Sequence, residues 1–294
     1  MPINNSRIVI GTVRFSGLYG INNNKKILRK LDVQKILNFA SKKKIKYLDT
    51  AIDYKKTNNI LRNLNLKNFN ITSKLPGKKR FKLKYNQLNV RKLVIDHLKK
   101  LRVKKLHTLY LHQPDDILKK DGINIIYSLQ KLKKEKKIKK IGYSIYSTRQ
   151  LKRLLNIFKP DIIQCPLNIL DRRFLKRNFL NKLQNLNIEI HVRSIFFQGG
   201  LISDYKNLKK KLLFPQSAYD KWVKWLKKKK INKVRGALSI LYKLDKKVKV
   251  VIGVESIDQL SQIVKEINKK ILPPPKINLP IKFLQKIYNY PIKN

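Results

Sequence analysis

Three short apolar segments of this 294-residue chain each end in an ionisable side chain. Asp49, Lys74 and His112 close three successive segments, and Tyr54 lies in the turn that follows Asp49. A carboxylate, an ammonium, an imidazole and a phenol brought together can protonate an oxygen that becomes an alkoxide, as in the reduction of a carbonyl group. The types and order of these residues therefore predict proton-transfer chemistry.

Each residue type has a definite role in such a site. A tyrosine has a pKa near ~10 and is a weak acid at neutral pH, so we expect the ammonium of Lys74 to lower the pKa of Tyr54. Asp49 would keep Lys74 charged and oriented, and His112 would hydrogen-bond a carbonyl oxygen. Taken singly, a lysine at a strand end usually reaches solvent and a histidine can complete a turn. The four residues in consecutive segments are what favour a catalytic site.

Convergence of these side chains requires that their strands be neighbours in one sheet. Eight apolar segments alternate with amphipathic segments, which predicts a parallel sheet. Eight units over about 250 residues favour a single-domain α/β fold, a closed (β/α)8 TIM barrel. A doubly wound sheet is less favoured, because no Gly-x-Gly-x-x-Gly motif follows the first predicted strand. The predicted strands are 7–13, 46–50, 69–75, 107–112, 140–145, 161–166, 189–195 and 248–254; the predicted helices lie near 32–44, 57–64, 86–101, 121–137, 148–157, 174–186, 231–245 and 256–268.

Two segments fall outside this alternation. Residues 196–229 are predicted to form a long loop after the seventh strand, and long loops in compact domains are often functional. Residues 271–294, which include a run of three prolines, are predicted to form a capping tail. We expect no domain boundary within residues 1–294.

The net charge of +53, from 70 Lys and Arg against 17 Asp and Glu, would alone suggest a nucleic-acid-binding protein. The excess is mostly lysine, is spread along the chain, and accompanies many asparagines and isoleucines, all residues with AT-rich codons. We therefore predict a solvated lysine surface and no specific nucleic-acid partner, although the charge would favour anionic ligands near a cleft. Salt-dependent DNA binding would revive the other interpretation.

Other classes of protein are not favoured by the sequence. Cys165 is the sole cysteine, so no intramolecular disulfide can form. The N-terminus does not read as a signal peptide and no stretch approaches the ~18 apolar residues of a membrane span, which predicts a cytoplasmic protein without a membrane partner. The histidines are isolated, so we predict no metal site.

The motifs together resemble the aldo-keto reductase family. LDTAIDY (48–54) is similar to the family's Asp-Thr-Ala-x-x-Tyr motif, ITSKL (71–75) to its lysine strand and LYLHQPD (109–115) to its histidine strand. The resemblance extends to nearly the whole chain through four further segments, IIQCPLNILDRRF, IEIHVRSIFFQGGL, VVIGVESIDQL and FLQKIYNYP. GTVRFSGLYGI and GYSIYS resemble a bacterial branch linked to sugar and surface-polysaccharide metabolism.

The resemblance implies an NAD(P)-dependent oxidoreductase that reduces an aldehyde or ketone, a sugar derivative among the candidates. It implies Tyr54 as the general acid, with Asp49, Lys74 and His112 in the roles given above. Ser144 and Gln164 correspond to residues that hold the nicotinamide carboxamide. The other cofactor-binding residues that it implies are Arg193 and Ser194, at the ring-stacking position and the pyrophosphate loop, and Gly253, Glu255 and Gln259, in the C-terminal motif.

The choice between NADP(H) and NAD(H) stays open at this level. The C-terminal motif offers no lysine or arginine for a 2′-phosphate, and Glu255 would repel that phosphate, whereas the net charge of +53 favours the more anionic cofactor. We expect both cofactors to be accepted, together with a small carbonyl or alcohol substrate. The alternative function is a cofactor-binding sensor or regulatory barrel with little turnover.

Overall fold

The computed structural model describes residues 4–17, 19–21, 26–77, 87–280 and 283–284. Eight parallel strands close into a barrel in which each strand pairs with the next and the last pairs with the first. The predicted single-domain (β/α)8 barrel is confirmed. The strands are β1 (Ile8–Gly11), β2 (Tyr47–Asp49), β3 (Asn70–Leu75), β4 (Leu106–Leu111), β5 (Ile138–Ser144), β6 (Ile162–Pro166), β7 (Glu189–Arg193) and β8 (Lys249–Gly253).

The helices of the described residues surround this barrel. Ser147 and Ser256 cap two of these helices at their N-termini, since each serine side chain accepts from the backbone N–H three residues on. Asp32 lies in the first turn of its helix and pairs with Arg29. The helices are α1 (Lys30–Lys42), α2 (Lys55–Leu61), α3 (Gln87–Leu101), α4 (Ile123–Lys134), α5 (Thr148–Leu155), α6 (Phe179–Asn185), α7 (Tyr205–Leu212), α8 (Gln216–Lys229), α9 (Lys233–Leu238) and α10 (Ile257–Ile267).

The expectation of one long loop over 196–229 was wrong, because α7 and α8 lie within it. Leu208 and Leu212 are buried four residues apart, and so are Trp222 and Leu226. This is helical spacing, and the lysines between these positions obscured it in the sequence. The buried residues of the two helices belong to the main core, and Leu208 and Trp222 share a small cavity with Phe197, which follows β7.

The predicted capping tail, 271–294, is described to residue 280 and at 283–284. Ile277 and Leu284 are buried in the main core, and Arg172 donates a hydrogen bond to the carbonyl oxygen of Pro275. These residues pack on the barrel; the rest of the prediction lies outside the described residues. In the described part of the chain, no helix is both long enough and apolar enough to cross a membrane.

Candidate active site

A pocket of about 250 Å³ lies at the C-terminal ends of the strands. The barrel brings every residue of the sequence-predicted site to its wall. Those residues are Asp49, Tyr54, Lys74, His112, Ser144, Gln164, Arg193, Ser194, Gly253, Glu255 and Gln259.

Asp49 and Lys74 form a buried ion pair at the base of this pocket. The ammonium of Lys74 donates to Asp49 Oδ2 and, at 3.1 Å, to the carbonyl oxygen of Thr50. Asp49 Oδ1 accepts from the hydroxyl of Thr72 at 3.0 Å and from Nε2 of Gln164 at 2.9 Å. Three of these bonds hold the carboxylate and the fourth holds the ammonium, so the position of the lysine charge is closely defined.

Tyr54 stands at the start of α2, with its ring centroid 5.9 Å from Nζ of Lys74. Burial raises the pKa of Tyr54 well above its usual value, and the charges of Asp49 and Asp53 raise it further. Burial and these two carboxylates therefore outweigh the lowering expected from the ammonium of Lys74, and the pKa of Tyr54 does not fall below its usual value as predicted. Tyr54 stays protonated at neutral pH, as a proton donor must.

His112 follows β4 and faces Tyr54, with the two ring centroids 6.3 Å apart. Its backbone N–H donates to the carbonyl oxygen of Leu75 at 2.9 Å, which fixes it against the lysine strand. Nδ1 of His112 lies 3.9 Å from Oδ1 of Asp53, whose side chain is 2% exposed. The structure thus places the carboxylate of Asp53 beside the imidazole of His112.

Gln164 presents an acceptor to the pocket. Its side chain is fully buried, and among the described residues no donor reaches its Oε1 atom. Ser144 pairs with Gln164 in register across β5 and β6. A buried acceptor at a pocket wall suits a ligand that brings an amide N–H, so these two residues fit the nicotinamide carboxamide that the resemblance implies.

Arg193 and Ser194 form the wall after β7. The guanidinium carbon of Arg193 lies 4.5 Å from the ring centroid of Tyr146, a cation–π contact. Ser194 has a φ of 64°, a left-handed conformation that is uncommon for a residue other than glycine. A hydrogen bond joins the side chains of Tyr19 and Ser194. Tyr19 and Tyr146 were not among the predicted site residues, although they lie within the segments GTVRFSGLYGI and GYSIYS.

Arg14 is a further pocket residue that sequence reasoning missed. It lies in the turn after β1, and its guanidinium pairs with Glu255 Oε1 at 2.7 Å. The arginine stem crosses Gly253, where an added Cβ would lie 2.7 Å from Arg14 Cγ. The backbone N–H of Glu255 donates to Oε1 of Gln259 at 2.9 Å. Arg14 thus brings to this end of the pocket the positive charge that the C-terminal motif itself lacks.

The three histidines other than His112 do not line the pocket. His97 contacts the hydroxyl of Ser73 at 2.9 Å, and His107 stacks edge-on against Tyr47. His191 is fully buried on β7, two residues before Arg193. In the parts of the chain that the structure describes, no group of three His, Cys, Asp or Glu side chains is arranged to hold a metal ion.

The family model of the aldo/keto reductases matches residues 7–277. The chain belongs to the aldo/keto reductase family and is an oxidoreductase of carbonyl compounds. No curated protein matches it by sequence.

Solved structures with the same fold are themselves aldo-keto reductases. AKR11C1 from Bacillus halodurans, in its holo form, is 18% identical with a TM-score of 0.68, and the match covers 98% of this chain and 95% of that one. Tm1743, a thermostable aldo-keto reductase in complex with the inhibitor epalrestat, is 15% identical with a TM-score of 0.67, and the match covers 96% and 93%. At these identities the likeness shows the fold alone.

Proposed function

We propose that this protein uses NADH or NADPH to reduce an aldehyde or ketone, or to run the reverse oxidation, with Tyr54 as the general acid. The observation that carries the proposal is the convergence of Asp49, Tyr54, Lys74 and His112 on one pocket. A sensor or regulatory barrel would not need a buried lysine held beside a protonated phenol. When bound, the reduced nicotinamide supplies the hydride.

The four side chains divide the proton chemistry between them. His112 lies where its imidazole can hydrogen-bond a carbonyl oxygen, and Tyr54 delivers its phenolic proton to that oxygen. The phenolate left behind is stabilised by Lys74, whose ammonium is 5.9 Å from the ring centroid. Asp49 keeps Lys74 oriented through their ion pair.

For the substrate, we propose a polar carbonyl compound such as a sugar derivative. Hydroxyl and amide groups line the pocket beside the catalytic residues, from Tyr19, Tyr146 and Gln198. Such groups can hydrogen-bond the hydroxyls of a sugar and fix its orientation. They supply the polar contacts that an apolar aldehyde would leave unused.

Cofactor binding and turnover test the proposal in two steps. NADH and NADPH should each raise the melting temperature of the protein, since a ligand of the native state alone stabilises it. The cofactor that binds should then be consumed with at least one member of a panel of aldehydes, ketones and sugars. Stabilisation by cofactor without turnover of any carbonyl compound would favour the sensor instead.

Glu255→Gln should shift cofactor preference towards NADPH. The substitution removes a negative charge that repels a 2′-phosphate, and it releases the guanidinium of Arg14 from its ion pair. We expect the ratio of kcat/KM for NADPH to that for NADH to rise about tenfold, the effect of ~1.4 kcal/mol. This shift should persist at high salt, which screens long-range charge but not contacts inside the pocket.

Asp258→Asn is the matched control for that shift. It removes one carboxylate from the exposed first turn of α10, within the same motif, and Asp258 does not line the pocket. The control should leave the preference unchanged. If Glu255→Gln also left it unchanged, the cofactor's 2′ position would not lie beside Glu255.

A further inference from the structure

A chain of hydrogen-bonding side chains crosses the barrel interior beneath the pocket. It runs from Glu189 and His191 on β7, through Tyr110 on β4, to Gln164 on β6. His191, Tyr110 and Gln164 are fully buried. Interiors of such barrels are filled mainly by branched apolar side chains, and buried polar groups are costly unless they are paired.

The contacts between these side chains are continuous. Glu189 Oε1 lies 3.1 Å from His191 Nε2, and His191 Nδ1 lies 3.0 Å from the hydroxyl oxygen of Tyr110. Gln164 is the next polar neighbour of Tyr110, because its side chain lowers the pKa of the phenol against the larger effect of burial, as an N–H donor to the phenol oxygen does. Nε2 of Gln164 also donates to Asp49 Oδ1 at 2.9 Å, so the chain ends at the ion pair of the active site.

The barrel is built to hold the tyrosine in this position. Tyr110 pairs in register with Gly142 on β5. A Cβ atom at Gly142 would lie 2.5 Å from Cδ1 of the tyrosine ring. No larger residue could stand there without displacing the ring, so the glycine provides the space in which the Tyr110 hydroxyl reaches both neighbours.

The carboxylate of Glu189, at the far end of this series of side chains, determines which group donates in each hydrogen bond. Lys140 and Lys249 contact Glu189, and although burial opposes it, hydrogen bonds from His191 and Lys140 hold the pKa of Glu189 well below its usual value. An ionised carboxylate only accepts, so Nε2 of His191 carries a proton. Burial lowers the pKa of His191, which leaves a neutral ring with Nδ1 as an acceptor.

The same donor and acceptor assignments determine the orientation of the Gln164 amide. Tyr110 must donate its proton to Nδ1 of His191, and its oxygen is left to accept from Nε2 of Gln164. Asp49 takes the other hydrogen of the same nitrogen. Both amide donors are therefore used inside the barrel, and Oε1 of Gln164 is the atom that remains for the pocket, in agreement with its lack of a donor among the described residues.

We propose that Tyr110, backed by His191 and Glu189, is a positioning residue that holds Gln164 with its carbonyl oxygen towards the pocket, where it accepts the carboxamide N–H of the nicotinamide cofactor. This inference rests on the proposed function, because it needs a nicotinamide ligand. It extends the site from the pocket wall to the far end of the barrel.

A pair of cofactors tests the inference by binding alone. One is the oxidised dinucleotide and the other is its 3-acetylpyridine analogue, in which a methyl group replaces the carboxamide NH2 and so removes the donor. Titration calorimetry on the full chain gives Kd for both. The wild type should prefer the carboxamide by about 3- to 10-fold, the scale of one hydrogen bond. Tyr110→Phe should reduce this preference to about twofold or less, by weakening the carboxamide cofactor and leaving the analogue unchanged.

Two further variants sharpen the test. Tyr143→Phe is the matched control, since it removes the hydroxyl of an equally buried strand tyrosine, and this hydroxyl donates to the carbonyl oxygen of Phe158. It should keep the wild-type preference. Glu189→Gln, at the partly exposed end of the series of hydrogen-bonding side chains, replaces Tyr110→Phe in the test if that variant does not fold. An amide can donate or accept, so the direction is no longer set and part of the preference should be lost.

The possible results distinguish a failure of the positioning role of Tyr110 from a failure of the proposed function. A Tyr110→Phe variant that kept the wild-type preference, or that weakened both ligands equally as a merely structural change would, overturns the positioning role. Equal binding of both ligands by the wild type overturns the contact of Gln164 with the carboxamide. A wild type that bound neither ligand would overturn the proposed function, and this inference with it, before any substitution is made.

Discussion

Replacing Tyr54 with phenylalanine should lower kcat for carbonyl reduction at least ~100-fold, the usual contribution of a general acid. The variant lacks only the hydroxyl, and the ring keeps its contacts with His112 and Lys74. Because the loss falls on proton donation, the Kd for cofactor should barely change. The measurement is kcat by steady-state kinetics together with Kd by calorimetry.

Tyr205→Phe is a suitable control for that variant. Its hydroxyl bonds the carbonyl oxygen of Phe214, away from the pocket, so its loss should leave kcat close to that of the wild type. A Tyr54→Phe variant with near-wild-type turnover on a good substrate would show that another group supplies the proton.

Lys74→Met should reduce turnover at least ~100-fold and move the alkaline limb of the pH profile upward. The variant keeps the stem and deletes the ammonium, which leaves the charge of Asp49 uncompensated beside the phenol. That charge already raises the pKa of Tyr54, after burial, so the pKa should rise further. Reduction needs protonated Tyr54 and should decline only at higher pH; oxidation needs the phenolate and should begin only at higher pH.

Asp49→Asn separates charge from simple disruption of the site. It removes a carboxylate that raises the pKa of Tyr54 and retains the lysine, so the same limb should move downward, with a milder loss of turnover. The pH profiles of residual activity for the two variants therefore shift in opposite directions. Identical shifts in both, or an unchanged profile with retained rate in Lys74→Met, would contradict the proposed pairing.

The convergence of the catalytic side chains could be predicted because it depends on topology. Once eight strand–helix units close into a barrel, the carboxyl ends of neighbouring strands share one face, so Asp49, Lys74 and His112 meet whatever the details of packing. The depth at which each side chain is buried does not follow from the order of strands. That is why the pKa of Tyr54 was expected to move in the wrong direction.

Contacts between side chains that are distant in the sequence could not be predicted either. β1 and β8 are neighbours in any closed barrel, but whether Arg14 reaches Glu255 depends on rotamers and on the missing side chain at Gly253. The interior polar chain did have a signal. Residues at period two on one strand share a face, so Glu189 and His191 could have been placed on the interior face of β7.

The fate of the hydride tests the proposed function most directly. The protein would be incubated with a carbonyl substrate from the panel and with NADH or NADPH carrying deuterium at the hydride-donating C4 position, and the alcohol product analysed by mass spectrometry. The predicted result is one deuterium on the former carbonyl carbon with the wild type, and at least ~100-fold slower labelling with Tyr54→Phe. A protein that binds the labelled cofactor but transfers no deuterium to any carbonyl compound would contradict the proposal and identify a cofactor-binding barrel without turnover.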